Sequence, residues 1–163
     1  MTTFTGTRAL YGIPAAGVGD GGSLKVAWGT IDVAANPVAA DIYEMCRVPA
    51  GATIVGGFFR GDDLDTGAET LDMDLGWAAN GGTGDYDAAD PDGLGNLGVL
   101  TGDPFAAGNL SNVAGLNYPL NGLLSAGELP TFTKETVIQL TANAPAATFA
   151  AGSLSVVIFY TMG

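Results

Sequence analysis

The chain has 163 residues, 47% of them apolar, with 26 glycines, 17 Asp plus Glu, five Lys plus Arg and a formal net charge of −12. That length suits one domain with a true core and is short for two, and the apolar share excludes a wholly disordered chain. The charge makes nucleic acid and anionic membrane poor partners, because phosphate binding needs cations to displace counterions; a positively charged protein surface or divalent cations suit it better.

The glycines follow no G-x-y period, which excludes collagen and points to tight turns between short strands. No run of 18 apolar residues exists, so no membrane-spanning helix is expected. The first eight residues, Met1 to Arg8, lack the apolar stretch of a secretory signal, so synthesis and folding in a cytoplasm are expected.

In chain order, residues 1–23 are rich in Thr, Gly and Ala and end in Gly17-Val-Gly-Asp-Gly-Gly22. They read as an extended N-terminal arm, with Thr2, Thr3, Phe4, Thr5, Arg8 and Tyr11 as candidate contacts to a partner. Residues 24–163 read as a single domain. Its first strand candidate is Leu24–Val33 and its second Asp41–Val48, after a turn at Asn36-Pro37. Pro49-Ala-Gly51 is a turn signal, and Ala52–Phe59 follows as a strand with apolar side chains on both faces, which calls for cover on both sides. Thr70–Trp77 alternates with period 2, placing Leu71, Met73, Leu75 and Trp77 in a core and Thr70, Asp72, Asp74 and Gly76 in water. From Ala78 to Leu129 the chain is dense in Gly, Asn, Asp and Pro; it reads as a long irregular insertion, a protruding lobe holding short elements that the pattern does not place. Glu135–Ala142 and Leu154–Thr161 are the closing strands, and the last is too apolar to lie at an open edge. With no repeat and no alternating βα units, the fold class is all-β, an antiparallel β-sandwich with a jelly roll among its topologies.

The chain has no histidine, which removes Ser-His-Asp and Cys-His catalysis and every His-containing zinc site. Cys46 is the sole cysteine, and its apolar strand predicts a buried free thiol. The 17–22 glycine run lacks the Lys and the helix of a phosphate loop. Ten acidic residues fall between Asp62 and Asp92, and no Lys or Arg stands between Gly61 and Thr133. A paired-carboxylate glycosidase needs such groups, but any acidic chain offers them. Asp62, Asp63 and Asp65, with Asp85, Asp87, Asp90 and Asp92, supply hard oxygens close together and are weak calcium candidates. Carboxylates solvated in turns between strands are the plainer reading. Trp28, Trp77, Tyr86 and Tyr118 suggest a sugar platform, although Trp28 and Trp77 occupy strand positions that core packing explains. The expectation is a non-enzymatic binding protein.

Val48-Pro-Ala-Gly-Ala-Thr-Ile-Val55, then Thr70-Leu-Asp-Met-Asp-Leu-Gly-Trp77 and the terminal strand, resemble the capsid decoration (cement) proteins of tailed bacteriophages, in outline over residues 24–161. That resemblance implies a structural virion protein on the outer capsid surface, bound to the major capsid protein and bracing joints between capsomers. It also implies a homo-oligomer, commonly a trimer. A fibre, spike or tail component and a carbohydrate-binding module remain alternatives.

Overall fold

The computed structural model describes residues 2–5, 23–68, 70–99, 116–119 and 129–162. Among them are nine strands and no helix: β1 Thr3–Thr5, β2 Lys25–Val33, β3 Ile42–Val48, β4 Ala52–Gly61, β5 Asp72–Trp77, β6 Asp90–Val99, β7 Leu116–Pro119, β8 Thr136–Ala144 and β9 Gly152–Met162. They form a five-stranded sheet in the order β1-β3-β8-β5-β6 and a four-stranded sheet in the order β2-β9-β4-β7. Every pairing is antiparallel except β1 on β3. Strand pairs nest, with β2 beside β9, β3 beside β8, β4 beside β7 and β5 beside β6. A long hairpin rolled so that successive pairs alternate between sheets is a jelly roll.

Alternation along each strand builds the core. Ile138, Leu140 and Ala142 of β8, Met73, Leu75 and Trp77 of β5, and Leu154, Val156, Ile158 and Tyr160 of β9 are all buried between the sheets. Cys46 is a buried thiol outside any disulfide, as its strand predicts. The terminal strand β9, with its apolar side chains, lies between β2 and β4, so its backbone is paired on both edges. The 49–52 turn closes with Ala52 N donating to Pro49 O at 3.1 Å. Gly51 takes φ 79°, the left-handed position a type II turn reserves for glycine. At Gly29 the two sheets approach closely: a Cβ there would overlap the Met45 carbonyl, so no other residue fits.

A bulge in β4 decides which aromatic is buried. Ile54 pairs with Tyr160 and Gly56 with Phe159, leaving Val55 as the extra residue. The alternation is thereby reversed: Ile54 and Phe59 both point inward and are fully buried, whereas Phe58 turns to the outer face.

Two segments gain detail and two expectations are corrected. The 1–23 segment begins with a strand of the chain's own sheet, since β1 pairs with Ile42–Glu44 and Thr2 O accepts from Ile42 N at 3.0 Å; residues 6–22 lie outside the described part. The 78–129 insertion contributes β6 and β7. Both are edge strands, which is where Pro91 and Pro119 are tolerated, a proline having no N–H for a second neighbour. Trp28 is 47% exposed rather than in the core, because Ala27 and Gly29 take the inward positions of β2. The outer face of β5 is only partly in water: Asp74 and Gly76 are buried, for β6 crosses over Gly76, whose Cβ would meet Asp90 and Pro91 backbone.

Candidate functional site

Three of the acidic residues between 62 and 92 are loop staples. Asp65 is buried; its Oδ2 accepts from Thr70 N (2.7 Å), Leu71 N (3.1 Å) and Ala147 N (3.2 Å), and its Oδ1 from Thr148 N (2.9 Å). Burial pushes its carboxyl up, but these backbone donors prevail and hold it below the ordinary carboxylate value. Asp87 accepts from the Thr133 hydroxyl and N–H, Asn80 Nδ2 and Gly84 N, and the Thr133 hydroxyl leads these bonds in holding its carboxyl well below the ordinary range. Asp62 accepts from Ser153 N and Oγ, both at 2.8 Å, which lowers its carboxyl as well. Each staple spans sequence-distant loops, so these carboxylates bind the fold to itself.

The calcium candidates are therefore not gathered as a ligand shell. Asp63 accepts from Asp65 N, Asp85 is exposed in a turn, and Asp90 and Asp92 lie together on β6. No group of three or more acidic, Cys or His side chains placed to hold a metal ion occurs among the described residues. Of the N-terminal candidates, Thr2 N donates to Asp41 Oδ1, Thr3 and Phe4 stand in β1 opposite Ile42 and Tyr43, and Thr5 Oγ1 donates to Glu44 Oε2. Arg8 and Tyr11 lie outside the described residues. Trp77 and Tyr86 meet edge to face with ring centroids 6.1 Å apart in the core, and Trp28 is on the outer face of β2, so the sugar platform is not assembled from these three.

The outer faces of the two sheets differ in chemistry. On the five-stranded sheet, Glu44, Asp72, Asp74 and Gln139 share the outward side. Asp74 and its cross-strand neighbour Thr141 each hold one buried side-chain oxygen, Oδ1 and Oγ1, with no hydrogen-bond partner. The other carboxylate oxygen accepts from Asn143 Nδ2 at 2.8 Å. Desolvation first, then the charges of Asp92 and Asp72, push the Asp74 carboxyl up. Burial and the neighbouring Asp92 carboxyl do the same to Asp90.

A raised folded pKa means that Asp74 favours the fold fully below its unfolded value, near 3.9, and loses that contribution as pH rises through the folded value. Asp74→Asn is accordingly expected to stabilise the protein at pH 7 by about 1 kcal/mol, since it removes a buried charge beside Asp72 and Asp92 while its amide oxygen still accepts from Asn143 Nδ2. Urea unfolding at pH 7 and near pH 4 checks this: the gain shrinks on acidification, and a loss at pH 7 contradicts it.

On the four-stranded sheet the outward side is apolar. Val26 pairs with Phe159 and that in turn with Gly56; Trp28 pairs with Val157 and that in turn with Phe58. Phe58 and Phe159 meet edge to face with centroids 6.0 Å apart. Val26, Trp28 and Val55 are 48%, 47% and 37% exposed. The next row is polar, Thr30 and Ser155 sharing a 2.8 Å hydroxyl bond beside exposed Arg60. Sequence reading misses this surface because it assigns Trp28 to the core. The usable signal is the doubly apolar β4 segment, whose outer side the structure leaves partly open.

No family model matches the sequence, and no curated protein matches it. The fold does have relatives among solved structures. A chain in the capsid asymmetric unit of cyanophage Pam1 is 25% identical, with 93% of each chain covered and a TM-score of 0.65. A chain in the capsid of Ralstonia phage GP4 is 21% identical, with 99% of each covered and a TM-score of 0.71, a likeness of fold.

Proposed function

We propose that this chain is a structural protein of a phage virion, which binds the outer surface of an assembled capsid through the major capsid protein and stabilises the contacts between capsomers. The observation that carries this reading is the likeness to the cyanophage Pam1 capsid chain, which runs nearly end to end in both proteins at 25% identity. Whole chain matches whole chain, so the common feature is the entire sandwich rather than a fragment. The sequence supports a non-enzymatic role: it has no histidine, and its one cysteine is buried. The two outer faces support docking through one side, since one sheet carries half-buried carboxylates and the other an apolar surface.

The test is addition of the purified chain to shells of its own phage assembled without it. Saturable co-sedimentation is expected, together with a higher temperature of shell disruption. Binding that leaves this temperature unchanged removes the stabilising role. No binding to any shell, with retention on a glycan array, replaces the reading by a carbohydrate-binding module.

A further inference from the structure

We propose that the outer face of β2, β9 and β4, centred on Trp28 and Phe159, is the surface that seats on the capsid, and that its occupant is the shell protein rather than a second copy of this chain. The proposal rests on the virion reading above and assigns it a site.

The face has the anatomy of a protein interface. Its centre is Val26, Trp28, Phe58, Val157 and Phe159, which carry no charge, and Trp is among the residue types that dominate binding energy. Phe58 and Phe159 fix each other by their edge-to-face contact, so little side-chain freedom is lost on docking. Hydroxyls form the rim on both sides, Thr30 with Ser155 and Thr53 with Thr131, each at 2.8 Å, with Arg60 beside Ser155.

Charge selects the occupant. The chain carries −12, and a net charge of that size opposes association of like copies. The outward carboxylates of β3 and β5 (Glu44, Asp72 and Asp74) lie on the other sheet, and the described outward positions of β2, β9 and β4 hold only Asp32, at the far end from Trp28. A partner approaching here meets apolar side chains and Arg60 before any field of acid groups. The complementary surface is an apolar one with a carbonyl-rich margin for the guanidinium, whereas the same face of a second copy offers hydroxyls and another Arg60.

The experiment uses the full chain and shells of its own phage lacking it. Trp28→Ala and Val26→Asp are compared with the wild type by co-sedimentation and by light scattering of the free chain. Both side chains point outward, and thermal melting confirms that each variant folds. Each is expected to weaken shell binding by about 30-fold or more, and Glu44→Gln on the opposite face to leave it unchanged. If the wild type binds and both variants bind equally well, the face is not the docking surface, while the virion reading stands. A wild-type oligomer that either variant converts to monomer places a second copy here and overturns the assignment. Failure of the wild type to bind removes the virion reading and this proposal with it.

Discussion

Asp65→Ala is expected to cost roughly 3–5 kcal/mol of folding stability, a large part of the 5–15 kcal/mol typical of a single domain. The carboxylate is the common acceptor of four backbone N–H groups, those of Thr70 and Leu71 on one side and Ala147 and Thr148 on the other. Removing it strands those donors at a site that is 3% exposed, where water is a poor substitute. The bridge from Asp65 to Phe149 and the bond from Thr66 N to Thr148 O join the same two loops, so the seam opens at one end of the sandwich. Asp65→Asn keeps one accepting oxygen and falls between the variant and the wild type.

The pH dependence has a definite sign. The folded pKa of Asp65 is depressed, so its stabilisation is present above the unfolded value, near 3.9, and is lost as pH falls through the folded value. Urea unfolding shows the gap between wild type and Asp65→Ala at neutral pH, narrowing in acid. A variant within 1 kcal/mol of wild type at pH 7 refutes the staple.

The strands legible in the sequence are those whose composition and packing agree. The period-2 segment before Trp77, the β-branched terminal strand and the Pro49–Gly51 turn each answer to one local rule, and β5, β9 and the turn form there. The strand β6 was hidden because Asp-Pro-Asp-Gly is turn chemistry, and only the tertiary fact of an edge position lets Pro91 stand in a ladder. Jelly-roll order is likewise invisible locally, since which strands pair depends on contacts far apart in the chain. The acidic cluster was legible as a cluster but not as staples. A carboxylate facing backbone donors and one facing a cation have the same letter, and only the returning loops at 133 and 147–148 and the start of β9 at 153 distinguish them. Trp28 was misread because Ala27 and Gly29 make poor-looking core residues, yet the close approach of Met45 admits nothing larger at Gly29.

Trp77 is the residue on which the core and the Asp-rich loop depend together, and Trp77→Ala is expected to cost about 3–5 kcal/mol, the range for deleting a buried large aromatic. Its ring packs edge to face on Phe132 at 5.3 Å and on Tyr86 at 6.1 Å between centroids. Its Nε1 donates to Ala88 O at 2.9 Å, and a Cβ on Gly93 would strike the ring, so the start of β6 closes down on it. Trp77→Phe fills part of the cavity but leaves Ala88 O without its donor, so a smaller loss is expected from that variant. Amide exchange separates the two roles: Trp77→Ala loses protection both in β8 and around residues 80–93, whereas Trp77→Phe loses it mainly in the loop. Loop protection unchanged from the wild type in both variants would show that Asp87, not Trp77, holds that loop to the sandwich. Because Asp87 anchors the same loop to Thr133 and Asn80, the double variant with Asp87→Ala tests whether the two supports act as one unit; a combined loss different from the sum of the single losses shows that they do.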